Sequence, residues 1–162
     1  MKLSLRWLQR YVNLSDKTPR QIAQDLTLST AEVEGVEVFG GGIEDVVVGH
    51  VLECGRHPNA DKLSVTKVDI GGDQPLGIVC GAPNIAQGQH VAVVPVGSVL
   101  PGDFKIKATK IRGEPSAGMI CSERELGLSE DHEGILVLDA ATYPDLTPGQ
   151  RLVDLLPVPD HV

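Results

Sequence analysis

A succession of short apolar stretches, each closed by Gly, Pro, Asn or Asp, limits what this chain can fold into. Val46 to Leu52, Leu76 to Cys80, Val91 to Val96 and Gly134 to Leu138 are aliphatic, β-branched runs of strand length. Leu63 to Ile70 alternates cleanly: Leu63, Val65, Lys67 and Asp69 share one face, Ser64, Thr66, Val68 and Ile70 the other. Gly71-Gly72-Asp73-Gln74 then signals a hairpin into Leu76. Phe104 to Ile111 alternates with its lysines outward. Pro95 marks a sheet edge or the end of its strand, because proline cannot donate to a ladder. Short strands, Gly/Pro turns and little helix between them predict a small barrel or sandwich.

The residues ahead of this β region read differently. Leu5, Trp7, Leu8, Tyr11 and Val12 recur on one face of a helix. Thr18 suits an N-cap, Pro19 the first turn and Gln21 the third position of a capping box, with Ile22, Ala23 and Leu26 facing inward. Val33, Val36 and Val38 favour strand. Gly40-Gly41-Gly42 is followed by no G-K-[ST] and opens no helix, so it reads as a flexible junction and a boundary. Glu123 to Gly127 suits one helical turn ended by glycine. After Thr147-Pro148-Gly149 come Leu152 to Leu156, Pro157 and Pro159, a tail that reads as though the natural protein continues.

At 162 residues the chain can fold without staples, and an aromatic share of 3% predicts an aliphatic core. A formal net charge of −8 argues against broad capture of nucleic acid or anionic membrane, yet leaves room for a local basic strip. No apolar run is long enough to span a bilayer, and Arg6 and Arg10 interrupt any leader-like stretch, so the expected location is the cytoplasm. Cys54, Cys80 and Cys121 are odd in number and form no C-x-x-C, which predicts free thiols rather than zinc ligands. His50, His57, His90, His132 and His161 fall into no metal spacing, and Cys121-Ser122 has no base signature beside it. No catalytic residue and no metal ligand is expected.

Two polar segments stand apart: His57-Pro58-Asn59-Ala60-Asp61-Lys62-Leu63, and Ile111 to Glu123 with Arg112-Gly113 and Ser116-Ala117-Gly118-Met119 inside it. Pro58 holds His57 extended, and Asn59 and Asp61 favour a turn, so the first segment reads either as turn chemistry or as a binding loop. Lys105, Lys107, Lys110 and Arg112 form the one dense basic stretch. Lys105 and Lys107 share a strand face; an unbroken strand puts Lys110 and Arg112 on the other. That stretch reads either as a lysine-protected edge or as a phosphate strip. The second segment combines a hydroxyl at Ser116, small residues that permit close approach, and Met119, which packs under flat rings.

In order along the chain, these segments and Ile78-Val79-Cys80-Gly81-Ala82-Pro83-Asn84 resemble the tRNA-binding OB-fold domain. The opening Met1 to Leu8, Thr30 to Gly35 and Cys121 to Leu128 make the whole chain similar to the N-terminus of the bacterial phenylalanyl-tRNA synthetase beta-subunit family. The resemblance implies a mainly β, α+β chain: an OB-fold barrel over residues 39–148 inserted into a small α/β domain. That outer domain would begin with residues 1–38 and return, truncated, in residues 149–162. It implies an α2β2 enzyme whose alpha subunit handles phenylalanine, ATP and magnesium, with editing in a later beta-subunit domain. This chain would itself catalyse nothing and need no cofactor. Carried over by position, Asn59, Asp61 and Lys62 would line one side of an RNA groove, Ser116 and Met119 the other, with Lys105, Lys107, Lys110 and Arg112 toward phosphate. Base stacking would contribute little, since Phe39 and Phe104 are the only phenylalanines and Trp7 lies outside the barrel. The runner-up reading is a module for subunit assembly with little RNA affinity of its own.

Overall fold

Helix and strand boundaries follow local chemistry wherever a cap or a proline dictates them. The computed structural model describes residues 1–156, 158 and 160–162; Pro157 and Pro159, which the sequence reading put in the tail, lie outside the described residues. In chain order the elements are α1 (Leu5–Leu8), α2 (Pro19–Ser29), β1 (Val38–Phe39), β2 (Val47–His57), β3 (Ala60–Asp69), β4 (Leu76–Cys80) and β5 (His90–Pro95). There follow β6 (Val99–Leu100), β7 (Phe104–Lys105), β8 (Thr109–Ile111), β9 (Glu114–Ser116), β10 (Gly118–Ile120), β11 (Val137–Leu138) and β12 (Asp160–His161). The described residues form one unit of residues 1–41, 158 and 160–162, and another of Gly42–Leu156.

In the first unit, Thr18 caps α2 as its sequence requires. The Thr18 hydroxyl accepts from the Gln21 amide, and the Gln21 side chain accepts from the Thr18 amide at 2.9 Å. Ile22 is the buried residue of this helix, and Ala23 and Leu26 are half-buried beside it. The first helix is shorter than its apolar face suggests. It stops at Leu8, buries none of its residues, and leaves Trp7 and Tyr11 exposed with ring centroids 5.0 Å apart. Val33 and Val36 join no strand; β1 pairs antiparallel with β12 over Val38–Phe39 alone. Asp160 ties β12 to α1. It accepts from the Ser4 hydroxyl and from the Arg6 amide at 3.0 Å. Burial opposes charge on Asp160, but the hydrogen bonds from Ser4, Arg6 and His161 outweigh it and hold the carboxyl below its usual range.

The second unit is a nearly closed five-stranded barrel of OB type, so the chain is mainly β with two short helices. Its sheet runs β10-β5-β2-β3-β4, with β11 also paired to β5. β2 is long because it serves two neighbours. Val47–His50 pairs with β5, and His50–His57 pairs with β3. Register shifts between Val51 and Glu53 and between Arg56 and His57 let it bend from one to the other. The core between the strands is aliphatic, with Val51, Val68, Ile78, Val91 and Val93 fully buried. On β3 the face carrying Thr66 and Val68 turns inward, and the buried Thr66 hydroxyl donates to the Ile78 carbonyl at 2.8 Å.

Phe104 to Ile111 is two strands, not one. β7 pairs with β6, β8 pairs with β9, and between them the buried Ile106 takes the chain inward, its amide donating to the Ser98 carbonyl at 2.9 Å. Gly134 to Leu138 is likewise shortened to β11. Its missing ladder is supplied by a side chain: the Asn84 amide group donates to the Ile135 carbonyl at 3.0 Å and accepts from the Ile135 amide at 2.9 Å. A β-carbon at Gly134 would lie 2.5 Å from the Asn84 oxygen, so the pairing needs glycine there. Asn84→Ala leaves both Ile135 groups stranded and is expected to cost roughly 1–3 kcal/mol, read as a lower urea midpoint. An unchanged midpoint would show that solvent replaces the amide.

His50 and His90 lie opposite each other on β2 and β5, their rings stacked 4.7 Å apart. Asp69 stands across from His50, and Leu138 across from His90. Burial first, and the neighbouring His50 second, lower the His90 pKa. The unfolded chain then takes up this proton at a higher pH than the folded chain. Stability is therefore full above about pH 6.5 and falls as the pH drops below it. A urea midpoint followed from about pH 7.5 to 5.5 is expected to fall further in the natural chain than in His90→Gln. Equal falls would remove His90 from the account.

Candidate nucleic-acid interface

The two polar segments meet. β2 and β3 are joined by a two-residue turn, Pro58-Asn59, since His57 pairs with Ala60. β8 and β9 are joined by Arg112-Gly113, since Ile111 pairs with Glu114. Both residues of that second turn have positive φ, 54° at Arg112 and 100° at Gly113. This is the type I′ geometry that matches strand twist and usually selects Asn-Gly. Arginine in the left-handed region costs about 1–2 kcal/mol, which neighbouring structure must offset.

Two hydrogen bonds join the turns. The His57 ring, 5% exposed, donates from Nε2 to the Ile111 carbonyl at 2.9 Å. Its Nδ1 accepts from the Asn59 amide at 3.0 Å, which fixes the proton on Nε2. The Asn59 side-chain amide donates to the Arg112 carbonyl at 3.3 Å. His57 opens the first polar segment but was not among the expected RNA-contacting residues; its place in the site is to hold the second turn.

Ser116 closes the barrel. Its hydroxyl, on a residue 3% exposed, accepts from the Val79 amide at 3.2 Å and donates to the Gly118 carbonyl at 3.2 Å. The next amide, Ala117, donates to the Gly77 carbonyl at 2.8 Å. β4 is joined to the β9–β10 segment through these bonds.

Beside this seam lies a groove of about 700 Å³, lined among others by Lys105, Lys107, Thr109, Ile111, Ser116 and Met119. Lys105 and Lys107 therefore meet Ser116 and Met119 there. Thr109 and Ile111 face the groove, so Lys110 between them lies on the outer side of the β8–β9 ribbon. Arg112 is exposed at its tip, beside Asn59. Asp61 and Lys62 are exposed at the start of β3 and do not line the groove. The sequence reading passed over Arg124 and His132, which do line it. Both follow the β10 strand in a loop, where alternation gives no guide to facing. Phe104 also lines the groove and is 56% exposed, so one aromatic face is available there after all.

The electrostatics are uneven. The four ion pairs among the described residues occupy Lys2, Lys17, Lys67 and Arg151. Lys105, Lys107, Lys110, Arg112 and Arg124 use none of them. Glu125 and Glu133 line the same groove, but Glu125 is occupied: its carboxylate accepts from the Ser122 amide at 2.7 Å and the Ser122 hydroxyl at 2.9 Å. That is the capping box of the single turn ended by Gly127. The three cysteines are free thiols. Burial pushes the Cys121 and Cys80 thiols up, which suits packing and not nucleophilic attack. Ser116→Ala strands the Val79 amide and the Gly118 carbonyl. It is expected to lower stability by about 1–3 kcal/mol in chemical unfolding. A neutral Ser116→Ala would mean the seam holds without its hydroxyl.

Residues 46–146 match the family described as "Putative tRNA binding domain". The chain is 53% identical over 161 residues to the phenylalanine–tRNA ligase beta subunit of Pectobacterium atrosepticum, covering 99% of this chain and 20% of that one. It is 57% identical over 140 residues to the beta subunit of Yersinia pestis, covering 86% and 18%. Among solved structures it is similar to a MetRS related protein from Pyrococcus horikoshii, 21% identical, with a TM-score of 0.47 and coverage of 66% and 87%. The chain spans about a fifth of the length of the curated relatives it matches. By its family match it belongs to the tRNA-binding domain family, and it is a homologue of the phenylalanine–tRNA ligase beta subunit.

Proposed function

We propose that this chain is the tRNA-contacting module of a phenylalanine–tRNA ligase beta subunit. One observation carries the reading: Lys105, Lys107 and Arg124 converge on one groove, Lys110 and Arg112 stand on its ribbon, and none of the five joins an ion pair among the described residues. Lys105, Lys107 and Arg124 supply phosphate contacts along the groove, and Lys110 and Arg112 extend them along the ribbon's outer side and tip. Phe104 offers one ring to an unpaired base, worth about 1–3 kcal/mol where stacking forms. Met119 packs beneath a base, and Ser116 acts by shaping the groove wall. Asn59, Asp61 and Lys62 flank the tip.

In this reading the barrel is inserted into a small α/β domain, and the β1–β12 pair is where that domain's chain leaves and returns. The module orients phenylalanine-specific tRNA within an α2β2 enzyme of the cytoplasm. Phenylalanine, ATP and magnesium are handled by the alpha subunit, and editing by another beta-subunit domain. No helix among the described residues is long and apolar enough to cross a membrane. A second reading, attachment to partner subunits, draws support from the exposed Trp7, Tyr11 and Leu28 of the first unit.

The test is a salt titration of binding between this chain and a phenylalanine-specific tRNA transcript. Affinity is expected to fall steeply with salt, by a slope of about 0.7 per single-stranded phosphate contact. Lys105→Ala with Lys107→Ala is expected to flatten that slope by about 1–2. Loss of binding to the natural chain at low salt would leave the assembly reading standing.

A further inference from the structure

We propose that His57 and Asn59 are positioning residues: they clasp the Arg112-Gly113 turn so that the Arg112 guanidinium is presented to an RNA phosphate. The inference rests on the reading of this chain as an RNA-contacting module. It assigns the His57-Pro58-Asn59 turn a different task from lining the groove.

The geometry is specific. The β8–β9 ribbon has three residues in each strand and forms its own two-stranded sheet, apart from the main one. A short isolated ribbon is marginal by itself. Its base is held by the Ser116 seam, but its tip lies four residues away. At that tip sits an arginine in a backbone region that side-chain-bearing residues avoid. Two carbonyls at the tip, those of Ile111 and Arg112, accept from the neighbouring hairpin, from His57 Nε2 and Asn59 Nδ2 respectively. The β-carbon position of Gly113 is 3.8 Å from that same Asn59 nitrogen, so the two turns are in packing contact as well. His57 is buried, has both ring nitrogens engaged with backbone, and leaves none to a ligand. Meanwhile Arg112 is exposed and takes part in none of the ion pairs among the described residues. Strained backbone held by its surroundings is how folds fix a functional side chain.

If Asn59 acts through Arg112, removing either should cost the same phosphate contact, and removing both should cost it once. The experiment measures binding of the whole chain to a phenylalanine-specific tRNA transcript across a salt series. The proteins are the natural chain, Asn59→Ala, Asn59→Ser, Arg112→Ala and Asn59→Ala with Arg112→Ala. Ser keeps the turn chemistry of Asn but is too short to reach the Arg112 carbonyl. It therefore serves if Asn59→Ala does not fold. Arg112→Ala is expected to weaken binding about tenfold and to lower the salt slope by about 0.7–1. Each Asn59 variant is expected to show the same drop in slope, and the double variant to be no weaker than Arg112→Ala alone.

Natural slope and affinity in the Asn59 variants, with Arg112→Ala weakened, would overturn the clasp and leave the RNA reading intact. So would additive losses in the double variant, which would make Asn59 a contact in its own right. An unaffected Arg112→Ala in a chain that still binds would likewise overturn the clasp alone. No binding by the natural chain at low salt would overturn the RNA reading and the clasp with it.

Discussion

The outer edge of β4 would carry an unpaired amide at Val79 if the Ser116 hydroxyl did not accept it. That bond and the adjacent Ala117 amide on Gly77 turn an open, twisted sheet into a nearly closed barrel. Everything at the site hangs from this seam. It fixes where β9 ends and β10 begins, and so where the β8–β9 ribbon leaves the wall. Where β10 begins the packing is tight: a β-carbon on Gly118 would lie 3.0 Å from the Val94 carbonyl oxygen of β5. A side chain that closes a sheet takes the place of a ladder bond, and burial makes that bond obligatory.

Much of the fold was legible because local signals there coincide with the outcome. The Thr18-Pro19-Gln21 start of α2, the Leu76–Cys80 strand and the end of β5 at Pro95 are each set by neighbours in sequence. The misjudged elements were set by distant partners. Ile106 breaks an alternating run because its side chain finds the core. Ile135 needs no strand neighbour because Asn84, far off in sequence, imitates one. The helix at Leu5 stops early, and its apolar face is no more than half-buried, at Leu5 and Leu8. Periodicity records which faces are apolar, not what covers them.

The site was legible to a different degree. The order of the two polar segments was enough to suggest a barrel of RNA-binding kind, and the basic strip was visible as composition. Their geometry was not. That a proline-bounded histidine would reach a carbonyl 54 residues on is a property of the closed barrel. Arg124 and His132 escaped notice because loops carry no facing rule. The exposed Phe104 could not be told from a core phenylalanine by its alternation.

The isolation of the β8–β9 ribbon has a consequence for how the molecule opens. Its strands share no ladder with the six-stranded sheet, so the amides short of the Ser116 seam can exchange with solvent while the barrel stays shut. The groove wall then has its own free energy of opening, smaller than that of the whole unit. Whatever fills the groove and binds only the closed wall slows exchange from Thr109 to Glu114, and by the same linkage it raises the melting point of the unit.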